Sequence, residues 1–283
     1  MATGDTARDE FVGRVLAACA RDPRVAAVVD YGSTSEARAD EWSDVDLALF
    51  IRDESLAEFE RDWRSWAAQF GRLLLAYVGG VGHPWTVYDA APVPLRADFA
   101  FHPESNAEVL LTWPNAPVSA TAMVRYDATA GRVTALAARL VGQSLAPADA
   151  ARAVEQTAGD FWYYCLRTYA KLRRGQLWAA RYDFNFIVVG NLLALLRLEA
   201  GATERMRATS AAVGIEAALA PARRAALAAL VPDATRAGLV EAFRAAIRLG
   251  RDVCATLSAT HARPWPAELA ARVAALYDDP TLS

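Results

Sequence analysis

The sequence predicts an α+β protein in two parts: a mixed β-sheet flanked by helices over 1–140, then an all-α helical bundle over 141–283. Three observations predict it. The first half alternates short β-rich runs with helical periodicity, and the strand signals stop near residue 146. One of those runs, "DVDLALFI" (44–51), sets two carboxylates at i and i+2 on an otherwise apolar strand. The chain has 283 residues, 54% of them hydrophobic, which is enough for two ordinary cores.

A helix is expected over 7–21, followed by strands at 24–31 ("RVAAVVDY") and 44–51. "SLAEFERDWRSWAAQF" (55–70) places Leu56, Phe59, Trp63, Trp66 and Phe70 at helical intervals. Four further runs, 73–79, 84–90, 94–101 and 122–128, are short and bounded by Gly, Pro, Asp or Asn, as strands tend to be. From about 146 a long helix opens with Pro147 and closes on Gly175. Helices follow at 177–200, 204–219, 221–230, 234–259 and 265–277. The two parts join near 130–147, without internal repeat or low-complexity linker.

Composition removes several function classes. Lys+Arg 30 against Asp+Glu 33 leaves a formal charge of −3, which disfavours a nucleic-acid partner. Cys19, Cys165 and Cys254 lie far apart, with no disulfide framework and no metal-ligand spacing, so a reducing cytoplasm is expected. His83, His102 and His261 show no ligand spacing, which argues against zinc. The start carries no leader-like apolar run, and no 18-residue apolar stretch follows. "FNFIVVGNLLALLRLEA" is cut by Asn185, Asn191 and Arg197 and reads as a buried helix. The expectation is a soluble cytoplasmic protein, away from membranes, monomeric or homodimeric.

Along a strand i and i+2 share a face, so Asp44 and Asp46 point together while Val45, Leu47 and Leu49 face a core. Two such carboxylates repel and raise each other's pKa unless a cation intervenes. A hard divalent ion resolves this, because Mg²⁺ takes oxygen ligands and bridges substrate phosphates. In "PLRADFAF" the same alternation puts Arg96 and Asp98 opposite Leu95, Ala97, Phe99 and Phe101. If that strand lies beside 44–51, Asp98 completes a three-carboxylate cluster. Upstream, Gly32-Ser33 ends a strand and is expected to enter a helix, where free N–H groups and a hydroxyl hold phosphate.

These are parts for attack on a nucleoside triphosphate. Gly32 and Ser33 seat the β,γ-phosphates, Asp44 and Asp46 hold one Mg²⁺, and Asp98 ligates a second ion or accepts the proton of an acceptor hydroxyl. Gly-Ser alone means little; the ordered set, strand to Gly-Ser to Asp-x-Asp to a later isolated Asp, means much more. Asp30 has no paired carboxylate at i+2 and reads as structural.

At these residues the chain resembles the nucleotidyltransferase superfamily that shares the DNA polymerase β-type catalytic fold. More closely it is similar to antibiotic-modifying members: lincosamide nucleotidyltransferases, through Trp42-Ser43-Asp44-Val45-Asp46, "LRADFAF", "MVRYDATAG" and "LRRGQLWAARYDF" in the same order, then streptomycin-type aminoglycoside adenylyltransferases. The resemblance implies a nucleotidyltransferase catalytic domain over 1–140 and a helical acceptor-binding domain over 141–283. It implies transfer of a nucleoside monophosphate, AMP from ATP, to a hydroxyl of a small-molecule acceptor with release of pyrophosphate. The lincosamide relatives carry Glu where this chain has Asp46 and Asp98, which bears on the acceptor more than on the chemistry. Competing readings are transfer to a protein or a tRNA end, and a non-catalytic nucleotide-binding or antitoxin-like relative.

In the second part, Phe161, Trp162, Tyr163 and Tyr164 run consecutively and cannot all face one core, so some are expected to meet a ligand or another surface. Lys171, Arg173 and Arg174 either complement a helix C-terminus or clamp the triphosphate, with Lys171 and Arg174 the candidates and Arg181 a weaker one. Asp160 and Asp183 are open to a cationic acceptor but read better as ordinary polar or capping residues. His83 and His102 read as loop or strand-end residues.

Overall fold

In a computed structural model the described residues are 4–204, 206 and 210–282. The chain forms two compact units, Met1–Ser144 and Leu145–Ser283.

The first unit is built on six strands: β1 (Val25–Asp30), β2 (Val45–Ile51), β3 (Leu73–Val78), β4 (Pro84–Tyr88), β5 (Leu95–Pro103) and β6 (Val124–Asp127). They lie in the order β3-β4-β5-β2-β1-β6. Only β2 and β5 run parallel; every other pair is antiparallel. Among the described residues four α-helices accompany the sheet, α1 (Gly4–Cys19), α2 (Leu56–Ala68), α3 (Ala120–Met123) and α4 (Arg132–Ala138), with 3₁₀ helices at Asp53–Ser55 and Glu104–Thr112.

Both faces of the central strands are covered, so β2 is a near-continuous apolar run. On one face Val45, Leu47 and Leu49 pack with Ala97 and Phe99 of β5 against Phe11 and Val15 of α1 and Phe59, Trp63 and Trp66 of α2. On the other, Ala48, Phe50 and Ala100 pack with Leu110, Met123, Val133 and Leu136. That second cover stops short of Asp46 and Asp98, which are only half-buried. The sheet is therefore open where its carboxylates lie.

The expected strand 122–128 is shorter than its sequence suggests. Ser119 accepts a hydrogen bond from the Ala122 N–H at 3.0 Å, capping a helical turn over α3 before β6 begins.

The regular elements of the second unit, among the described residues, are helical. They are α5 (Ala150–Arg173), α6 (Leu177–Asp183), α7 (Val189–Ala200), α8 (Ile215–Ala218), α9 (Pro221–Leu227), α10 (Arg236–His261) and α11 (Ala267–Tyr277), with single turns at Ala228–Leu230 and Pro280–Leu282. Asp149, not Pro147, sets the start of α5, by accepting from the Arg152 N–H at 2.9 Å. A π-helical segment, Phe184–Val188, joins α6 to α7, and Gly201 closes α7 in the left-handed region at φ 68°. Of the expected helix 204–219, residues 205 and 207–209 lie outside the described residues, and α8 occupies its last turn.

The run Leu177–Ala200 is long and apolar enough to cross a membrane by length and composition. Its Phe184, Val188, Leu192, Leu195 and Leu196 are core residues of this unit, packed with Phe161, Phe243 and Val253. Among the consecutive aromatics, Phe161 and Trp162 are fully buried, Tyr164 packs at the core's margin, and Tyr163 is exposed.

Candidate active site

The β2–β5 ladder places Asp46 directly opposite Asp98. Cross-strand partners share a face, so the sequence-predicted neighbourhood of these two carboxylates is present in the backbone register. Asp44 stands just before β2 and forms an ion pair through Oδ2 with the Arg96 guanidinium at 2.9 Å. Arg96 lies two residues before Asp98 and thus on the same face of β5.

The Gly32-Ser33 turn abuts Asp46. A Cβ on Gly32 would lie 2.8 Å from Asp46 Cβ and collide with the carboxylate, so only glycine allows this approach. The Tyr31 N–H donates to the Asp46 carbonyl at 3.1 Å, tying the turn to the strand. Asp30, at the end of β1, is 1% exposed and accepts from the Gly32 N–H at 3.0 Å. Its pairing with Leu47 turns it to the face of α1, away from Asp46. Ser33 Oγ and Asp30 Oδ2 are buried without a hydrogen-bond partner.

The expected helix after Gly32-Ser33 is not formed. The chain makes one turn and closes it: Arg38 N–H donates to the Ser33 carbonyl at 2.8 Å and Ala37 N–H to the Thr34 carbonyl at 3.0 Å. With Ala37 at φ 53° this is a Schellman closure, which ends a helix rather than extending one. Two contacts from the loop over 113–119 brace the turn. Asn115 donates to the Tyr31 carbonyl at 2.5 Å, and the Val118 N–H donates to the Ser35 carbonyl at 2.9 Å.

Arg8 of α1 was not legible as a site residue. It is buried, donates through Nε to the Asp44 carbonyl at 3.1 Å and through its terminal nitrogen to Thr34 Oγ1, and so links the turn to the Asp-x-Asp segment. Nothing in the sequence marks a helix arginine 36 residues before its partner.

The electrostatics are those of crowded anions. Burial, then Asp44, Asp98 and Asp30, push Asp46 up to about 7, with Arg8 opposing. Burial and then Asp44 raise Asp98, with Arg96 opposing. Burial raises Asp30, against the pull of the Gly32 N–H and Arg8. The Tyr31 hydroxyl is raised by burial and then by Asp46, Asp98 and Asp44.

A hard cation fits this donor set: all three groups are carboxylates, and the charge on Asp46 is unfavourable until something positive meets it. Among the described residues no three His, Cys, Asp or Glu side chains converge into a closed ligand set. Mg²⁺ needs only one or two carboxylates when substrate phosphates and water complete its shell.

Apart from His83 and His102, the remaining residues singled out in the sequence belong to the second unit. Lys171 of α5 places Nζ 2.6 Å from Asp183 Oδ2, so a phosphate has to compete with an ion pair there. Asp183 is buried, with Arg167 as a second cation at 3.8 Å. Arg174 is exposed at the C-cap of α5. Arg181 donates to the carbonyl of Asp233 at 2.5 Å, just before α10. Asp160 is exposed on α5. His83 precedes β4 and His102 lies near the end of β5, their rings 6.0 Å apart.

No family model matches the chain, and no curated protein matches its sequence. Among solved structures, an aminoglycoside 6-adenyltransferase from Bacillus subtilis is similar at 14% identity and a TM-score of 0.45, over 95% of this chain and 99% of that one. A nucleotidyltransferase-like protein from Exiguobacterium sibiricum 255-15 is similar at 14% identity and a TM-score of 0.35, over 89% and 77%.

Proposed function

We propose that the chain is a Mg²⁺-dependent nucleotidyltransferase that moves a nucleoside monophosphate, AMP from ATP, onto a hydroxyl of a small-molecule acceptor, a lincosamide or an aminoglycoside. The observation that carries this reading is the register that sets Asp46 against Asp98, with the Gly32 backbone pressed on the Asp46 carboxylate.

The residues take the following parts. The Gly32-Ser33 turn receives the β,γ-phosphates, with the buried Ser33 hydroxyl available as a donor. Asp44 and Asp46, with Asp98, hold one or two Mg²⁺ ions. A bound ion supplies neutralisation of the α-phosphoryl group and of the pyrophosphate leaving group. The acceptor oxygen forms a bond to the α-phosphorus while the bond to the β-phosphate bridging oxygen breaks, and pyrophosphate leaves with that electron pair. Asp98 takes the hydroxyl proton, its carboxyl raised by burial and by Asp44.

Pyrophosphate release is the test. Purified protein is screened with the four nucleoside triphosphates, with and without Mg²⁺, against lincosamides and aminoglycosides. Acceptor-dependent release that needs Mg²⁺ is the expected result, and its absence across the screen overturns the reading.

A further inference from the structure

Backbone pairing sets five residues in one row across the site face of the sheet: Tyr31, Asp46, Asp98, Trp85 and Tyr77. Tyr31 bonds to Asp46, Asp46 pairs with Asp98, Asp98 with Trp85, and Trp85 with Tyr77. Neighbours in such a row stand about 5 Å apart on a shared face. Trp85 is therefore the next side chain beyond Asp98, on the side away from Asp46.

The indole is held in place. A Cβ on Gly79 would collide with carbons of the indole ring, so the backbone there packs directly on the ring. Tyr77 meets it edge-on, with centroids 5.8 Å apart and an interplanar angle of 88°. Tyr77 is 40% exposed, and Leu75, on the same face of β3, is 50% exposed. The sheet face thus passes from anionic at its centre to aromatic and apolar toward its β3 edge.

We propose that Trp85 and Tyr77 form the acceptor subsite, and that the acceptor is a hydroxylated saturated ring with an apolar C–H face, cationic or neutral. The proposal rests on the nucleotidyl-transfer reading and places the acceptor within it. In an in-line displacement the entering and leaving oxygens lie on opposite sides of the phosphorus. The Gly32-Ser33 turn is on the β1 side of the carboxylates and Trp85 is on the β4 side. With pyrophosphate leaving over the turn, the hydroxyl enters from the Trp85 side and meets Asp98 first. Two aromatic rings at right angles offer a stacking surface for a sugar ring and attract ammonium groups through their π-faces.

The experiment is steady-state pyrophosphate release with Mg²⁺, ATP and either lincomycin or streptomycin, for wild type, Trp85→Ala, Trp85→Phe, Tyr77→Ala and Val78→Ser. Val78 is exposed on the opposite face of β3 and serves as the control. Trp85→Ala is expected to raise the acceptor KM about tenfold with the ATP KM within about twofold of wild type; loss of one aromatic contact is of this order. Tyr77→Ala moves the acceptor KM in the same direction, Trp85→Phe restores most of it, and Val78→Ser leaves it unchanged. Tyr77, exposed at the sheet edge, carries the test if Trp85→Ala melts early. An unchanged acceptor KM in Tyr77→Ala and Trp85→Ala overturns the subsite while leaving the transferase reading intact. So does a parallel rise in ATP KM, or a lower oligomeric mass of Tyr77→Ala than of wild type, which makes this edge of the sheet an interface. Absence of release by wild type with both acceptors, and across the full screen of nucleoside triphosphates, lincosamides and aminoglycosides, removes the transferase reading and the subsite with it.

Discussion

Gly32 and Asp46 occupy adjoining space so closely that a single methyl on Gly32 would lie 2.8 Å from Asp46 Cβ. The turn and the carboxylate are one unit, and neither keeps its position if the other changes shape.

Gly32→Ala is accordingly expected to displace Asp46 and lower kcat by about a hundredfold, the order of loss that a shift of about 1 Å in a reacting group brings. Far-ultraviolet circular dichroism stays unchanged, because the contact lies at a turn outside the cores. Pyrophosphate release at saturating ATP and acceptor measures the effect; a rate within threefold of wild type contradicts the tight approach.

The raised pKa of Asp46 makes metal-free stability depend on pH. In the unfolded chain Asp46 loses its proton near 4; in the folded one it holds it to about 7. Between those values the folded state binds more protons, so stability falls as pH rises across that window. Asp46→Asn removes the decline and is expected to melt several degrees above wild type at pH 8 without metal, since each kcal/mol moves Tm by about 2–4 °C in units of this size. Added Mg²⁺ stabilises wild type at pH 8 and not the variant. Calorimetric melts at pH 5 and pH 8 check both statements.

Lys171 and Asp183 make a pair of which one member is buried. Lys171→Met leaves that carboxylate with only Arg167 at 3.8 Å and is expected to destabilise the protein by about 3 kcal/mol. Lys171→Met combined with Asp183→Asn recovers most of the loss, as urea denaturation of both variants will show. If Lys171→Met instead unfolds at the wild-type midpoint and raises the KM for ATP, the lysine serves phosphate and not the fold.

What the sequence made legible follows from what is local. Alternation alone put Asp44 with Asp46, and Arg96 with Asp98, on common faces, and helical spacing marked Phe59, Trp63 and Trp66 as the buried side of α2. The pairing of Asp46 with Asp98 needs a parallel register between strands 52 residues apart, and Trp85 needs a second register on top of it. No local pattern encodes either. The turn after Ser33 was misread as a helix start because Ala37 carries no mark of the left-handed conformation that closes it. Lys171 looked like a free cation because its partner, Asp183, lies beyond the Gly175 turn on another helix.

The central claim is that Asp46 and Asp98 gather a divalent cation with a nucleoside triphosphate, and Mn²⁺ electron paramagnetic resonance tests it most directly. Free Mn²⁺ is titrated with wild type, Asp46→Asn and Asp98→Asn in the presence of a non-hydrolysable ATP analogue. Wild type is expected to bind the Mn²⁺–nucleotide complex, and each variant to bind it at least about tenfold more weakly with an unchanged fold, consistent with losing one charged ligand. Equal binding by wild type and Asp46→Asn would contradict the account.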